Sequence, residues 1–141
     1  MAMARTWQLG DQADDGSMIG LGNGRLLAYL RGPDLVQLWG PTLSSPNLAA
    51  MRLVGPEGLR TISRREPGAA IWRHEVLADG GCVGSITDFA DADEPCLVRL
   101  VETRIGLRFQ VAMGAPRPGR TGPQSRLVTL PPGTRVYGER F

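Results

Sequence analysis

Lysine is absent from this sequence, and every one of its 16 basic residues is arginine. Against 14 carboxylates the net charge is only +2, and the arginines are scattered singly apart from Arg64-Arg65. No aromatic residues interleave with them along the chain, so nothing points to a nucleic-acid partner. There is one histidine, His74. One imidazole cannot build a histidine metal cluster, and no neighbouring signal supplies the partners of a Ser-His-Asp triad. Neither GxSxG nor HExxH occurs. Cys82 and Cys96 are too few for a disulfide framework and lack CxxC spacing, so both read as small core hydrophobes in a reducing compartment. No apolar run approaches the roughly 18 residues of a membrane span, and the N-terminal MAMARTWQLGDQADDG has no signal-like hydrophobic region. These absences predict a cytoplasmic protein with no membrane partner, no metal and no cofactor. Arginine without lysine, beside abundant Gly, Pro and Ala, matches the codon bias of a GC-rich bacterial genome.

What is present suits one domain with a real core. The stretch from Met18 to Asn47 organises the rest. Met18 to Gly22 reads as a first strand, and Asn23-Gly24 is a two-residue hairpin signal because both positions tolerate positive φ. A phosphate-cradling reading of Gly20-Leu21-Gly22-Asn23-Gly24 needs a helix next, but RLLAYLR has no polar helical face. Arg25 to Arg31 is instead a strand that is apolar on both faces. Gly32-Pro33-Asp34 then turns the chain, with Pro setting φ at the second turn position and Asp bonding its own backbone. Leu35 to Trp39 returns antiparallel, Gly40-Pro41 stops it, and Thr42 to Asn47 is a polar loop.

Pro46 to Val54 holds the one expected helix, a short turn over 46–54 with Ser45 as its cap. Beyond Gly55-Pro56 the pattern is β. Strands are expected over Leu59 to Arg65, Ala70 to Ala78, Cys82 to Phe89, Cys96 to Thr103 and Leu107 to Met113, with turns at Asp79-Gly80-Gly81, Asp91 to Pro95 and Gly106. Ala115 to Pro123 is loop composition, and weak strands follow at Leu127 to Leu130 and Arg135 to Tyr137. Strands about ten residues apart, with almost no helix, predict an all-β antiparallel β-sandwich, supersandwich-like. Residues 1–16 read as a flexible segment, 17–115 as the sandwich domain and 116–141 as linker with terminal strands. The strands at 26–30 and 97–101 are apolar on both faces, which predicts an apolar patch open to a partner or a second copy, unless 46–54 and the tail fold over it.

Chemistry is sparse. His74, between Arg73 and Glu75, reads as a surface or sheet-packing residue. Asp88, Asp91, Asp93 and Glu94 form the densest carboxylate cluster, but they lack the twelve-residue calcium-loop pattern and read as a solvated acidic turn. Glu66, Glu75 and Glu102 lie on or beside strands with nothing to pair them as a glycosidase acid and base. Trp7, Trp39, Trp72 and Tyr29 could stack on sugar rings or fill a core. The candidate carbohydrate contacts are Trp39, Ser44, Ser45 and Asn47.

Four pieces occur in a telling order over about residues 17–115: Ile19-Gly20-Leu21-Gly22-Asn23-Gly24-Arg25, Pro41 to Pro46, Ile86-Thr87-Asp88-Phe89, and Leu97-Val98-Arg99-Leu100-Val101-Glu102. Together they resemble the N-terminal β-sandwich domain of bacterial glucoamylase-like and trehalase-like proteins of glycoside hydrolase family 15. The family's loop often reads Pro-Arg-Phe-Asp-Ser-Pro. Here Thr42, Leu43 and Ser44 stand at its centre, and only Pro41, Ser45 and Pro46 carry over. The family's two catalytic glutamates lie downstream in an (α/α)6 barrel, and no position of this sequence matches them. The resemblance therefore implies a non-catalytic domain that packs on a helical catalytic domain or subunit and shapes its entrance, with glucan or trehalose as the substrate of that partner. The alternative is a stand-alone carbohydrate-binding module.

Overall fold

The computed structural model describes residues 18–39, 49–113 and 124–135. They form ten strands: β1 Met18–Gly22, β2 Leu27–Arg31, β3 Asp34–Trp39, β4 Ala49–Gly55, β5 Arg60–Arg65, β6 Ile71–Ala78, β7 Gly81–Ala90, β8 Leu97–Thr103, β9 Leu107–Met113 and β10 Gln124–Leu130. A six-stranded sheet runs β1-β2-β3-β4-β9-β10, and a four-stranded sheet runs β5-β6-β7-β8. Every pairing is antiparallel. The chain thus builds four strands of the first sheet, crosses to make the whole second sheet as a meander, and returns for two more. All-β, two-sheet architecture is as the strand spacing predicts.

Alternation decides what faces inward. Ile19, Leu21, Ala28, Leu30, Leu35, Leu38, Met51, Leu107, Phe109 and Val111 line the six-stranded sheet's inner face, and all are buried. Trp72, Val76, Ile86, Leu97 and Val101 answer them from the four-stranded sheet. The end of β8 is tied to the chain after β10, where Thr103 N–H donates to the Thr134 carbonyl at 2.7 Å and Gly133 N–H donates to the Thr103 carbonyl at 3.0 Å.

The helical turn expected within 46–54 is not there. Residues 49–55 are β4, which pairs along β9 from Ala49↔Met113 to Leu53↔Phe109. The run Ala50-Met51-Arg52-Leu53 also fits period two, placing Met51 against Leu35 and Val111 in the core, and cross-strand packing overrides weak helix propensity. This segment is therefore a member of the sheet and not a cover over it. Residues 46–48 lie outside the described residues.

Two turns also differ from their expected chemistry. At the β2–β3 turn Gly32 has φ 54°, so glycine supplies the left-handed position and Pro33 follows it. Asp34 does not bond its own backbone, because its Oδ1 accepts the Leu53 N–H at 2.8 Å and ties the turn to β4. At the β1–β2 connection only Gly24 has positive φ, and the loop spans Asn23 to Leu26. Asn23 stabilises it with its side chain: Oδ1 accepts the N–H groups of Arg25 at 2.9 Å and Leu26 at 3.0 Å.

Candidate functional site

The inner face of the four-stranded sheet carries a line of polar side chains in the core. The β5–β6 register sets Ser63 opposite His74, and the β7–β8 register sets Asp88 opposite Arg99. Between them, β6–β7 pairs His74 with Ile86 and Trp72 with Asp88, so His74 reaches Asp88 along the diagonal of the sheet. Ser63 Oγ lies 2.6 Å from His74 Nδ1, and His74 Nε2 lies 2.9 Å from Asp88 Oδ2. Arg99 grips both oxygens, Nε donating to Oδ1 at 2.7 Å and Nη2 to Oδ2 at 2.8 Å. Side chains from four successive strands are joined in one chain of hydrogen bonds.

All four are buried, His74 and Asp88 completely, Ser63 and Arg99 at 1% and 2% exposure. Burial would push the Asp88 carboxyl up, but the Arg99 guanidinium and the hydrogen bond from His74 outweigh it and hold the group below its ordinary value of 3.8. Ionised Asp88 can only accept, so His74 Nε2 carries a proton, and in the neutral imidazole Nδ1 accepts from the Ser63 hydroxyl. One nitrogen of the group, Arg99 Nη1, is buried with no partner.

Serine, imidazole and carboxylate in hydrogen-bonded order is the arrangement that activates a nucleophile. Here the hydroxyl is shut inside the protein: it is buried, 3.9 Å from where a Cβ built on Gly32 of the β2–β3 turn would stand, and it does not line the cavity beside that turn. Both oxygens of Asp88 are already held by arginine. The arrangement is a cross-strand lock inside the sheet.

The structure corrects several expectations here. His74 is not on the surface, and of its two expected roles sheet packing is the one it has. The partners of a Ser-His-Asp series exist in the chain after all, brought together by register. Asp88 does not belong to a solvated acidic turn. Asp91 does, and its Oδ1 accepts the N–H groups of Asp93 and Glu94, both at 2.9 Å. Cys82 is exposed at the start of β7 and not in the core, while Cys96 is buried. Alternation was the missed signal: Trp72 and Val76 share a face that points inward, and His74 lies between them.

Of the carbohydrate candidates, Trp39 is half-buried at the end of β3, while Ser44, Ser45 and Asn47, like Trp7, lie outside the described residues. Tyr29 is half-buried and Trp72 buried. One cavity of about 350 Å³ opens where the β2–β3 turn meets the β4–β5 crossover, with Arg31, Asp34 and Thr61 as its polar side chains and Leu53, Val54 and Leu59 among its apolar ones. The apolar residues of the outer faces, such as Leu27, Val98 and Leu100, are half-buried, and the exposed large ones among the described residues are Val54 and Leu127.

The first of the resembling segments meets the turn between the last two. Asn23 Nδ2 donates to the carbonyls of Asp91 at 2.6 Å and Glu94 at 2.8 Å, and Arg25 donates to the Asp93 carbonyl at 2.6 Å. Asp88 and Arg99 join the other two described segments. The 41–46 loop lies outside the described residues. Comparisons with family models, curated proteins and solved structures give no match for this chain.

Proposed function

We propose that the chain is a non-catalytic β-sandwich domain of a glucoamylase-like or trehalase-like glycoside hydrolase, packing on an (α/α)6 catalytic barrel and shaping its entrance. The observation that supports this reading is the use made of the resembling segments. Asn23 holds the connection between Ile86-Thr87-Asp88-Phe89 and Leu97–Glu102, and Asp88 is locked to Arg99 in the core. Residues employed in this way fix a scaffold, and none of them lines the open cavity. The outer face of the four-stranded sheet offers a surface for a helical domain, because Ile71, Phe89 and Val98 are successive cross-strand neighbours there.

The test is direct. The purified chain alone releases no glucose from maltooligosaccharides or trehalose, and mixed with a glucoamylase-like helical catalytic domain it elutes as a one-to-one complex. Glucose release by the chain alone, lost on Glu75→Gln or Glu102→Gln, would overturn the reading. A second reading, a stand-alone carbohydrate-binding module, is favoured by the half-exposed positions of Trp39 and Tyr29 and loses Trp72 as a contact.

A further inference from the structure

The outer face of the six-stranded sheet carries side chains that neither the core nor the four-stranded docking face uses. On it Tyr29 pairs with Gln37, Leu27 with Trp39, and Arg52 with Gln110. Arg52, Arg108 and Gln110 are exposed, and Tyr29, Gln37 and Trp39 are half-buried. The partner of Tyr29 on β1 is Gly20, so the ring lies beside bare backbone, 4.0 Å from where a Cβ would stand. Met18, the residue of β1 with a side chain on this face, pairs with Arg31.

Charge on this face is mainly positive and thinly spread. Arg31, Arg52 and Arg108 point outward, and the one carboxylate among the described residues of these six strands is Asp34, already accepting the Leu53 N–H. Three arginines against one aspartate suit a partner with occasional carboxylates, not a phosphate at every residue. The neutral groups between them narrow the choice. Flat aromatic rings pack against the apolar faces of sugar rings. The amides of Gln37 and Gln110 both donate and accept, as hydroxyl-rich ligands require, and guanidinium forks bind carboxylates bidentately. Tyr29 on β2 and Arg52 on β4 stand two strands apart and are displaced to opposite sides of the Leu35↔Met51 bridge, so about 13 Å separates them and the ligand is an oligomer.

We propose that this face binds a glycan containing uronic acid residues, with its rings over Tyr29 and Trp39 and its carboxylates at Arg52 and Arg108. The proposal deepens the carbohydrate-binding reading and involves no helical partner, so its failure leaves the docking reading untouched. Calorimetric titration of the full chain with a galacturonate hexamer, a neutral glucose hexamer and a dT oligomer tests it. The galacturonate hexamer binds about tenfold more tightly than the neutral one, and either about 0.5 M salt or the Arg52→Ala/Arg108→Ala variant removes that advantage. Both arginines are exposed, so the variant keeps its fold. In a parallel spectrum of indole N–H groups, the uronate shifts Trp39 and leaves buried Trp72 in place. Absence of binding at millimolar hexamer, equal affinity for the two glycans, tighter binding of dT, or an unmoved Trp39 overturns the proposal.

Discussion

The two sheets hold their inner faces together by different physics. Among the described residues, the buried side chains of the six-stranded sheet are all apolar, from Ile19 and Leu30 to Phe109 and Val111. The four-stranded sheet sets Ser63, His74, Asp88, Arg99 and Thr103 among its hydrophobes, all buried. Apolar burial is non-directional and tolerates small shifts of one side chain against another. A buried hydrogen-bonded line is strict about geometry, because each group left without its partner bears the full desolvation cost. The first sheet is held by area and the second by angle and distance.

Breaking the lock at its most charged point has the largest expected effect. Arg99→Ala leaves Asp88 buried without its cation and costs about 3–5 kcal/mol in urea unfolding. Asp88→Leu combined with Arg99→Leu costs less than Arg99→Ala alone, since no unpaired charge remains; a double variant as unstable as the single would show that the pair gives net stability. Leu30→Ala in the apolar sheet costs about 3 kcal/mol through lost burial and a cavity. Acid sharpens the contrast. The Asp88 carboxyl is held below its ordinary value of 3.8 in the folded chain, so its contribution is fully present above that pH and is lost as pH falls toward the lower folded value. The cost of Leu30→Ala is the same at pH 7 and at pH 4, whereas the wild type loses stability below about pH 4 in a limb that Asp88→Asn flattens. The smallest effect comes from the seam between the sheets. Asn23→Ala removes two bonds to the 91–94 connection and two within its own loop, at a cost of about 1–2 kcal/mol by thermal unfolding.

Much of this architecture is readable from local pattern. Period-two alternation places Leu107, Phe109 and Val111 inside, and Asp79-Gly80 marks its hairpin because both residues take positive φ. β4 is misread because Ala49, Ala50 and Met51 are good helix formers, and the β9 strand that recruits them lies far along the chain. The polar lock is half legible. Parity alone turns His74 inward between Trp72 and Val76, but its hydrogen-bond partners depend on the registers of three strand pairs, including the β6–β7 bulge between Val76 and Leu77. Nor could the outer-face platform be seen in sequence, where Tyr29, Trp39, Arg52 and Arg108 are spread over distant segments. The registers of β2, β3, β4 and β9 gather them on one face, the aromatic pair toward one end and the two arginines toward the other.

The order of strands also distributes the cost of ordering the chain unevenly. The four-stranded sheet is a meander of consecutive hairpins, each closing a short loop, whereas pairing β4 with β9 joins ends roughly fifty residues apart. Once the meander exists, that long excursion is already folded, and its two ends emerge where β4 stops and β9 starts. The polar lock fixes the register of the four strands that span the excursion. It acts as the clasp that brings the two halves of the larger sheet edge to edge.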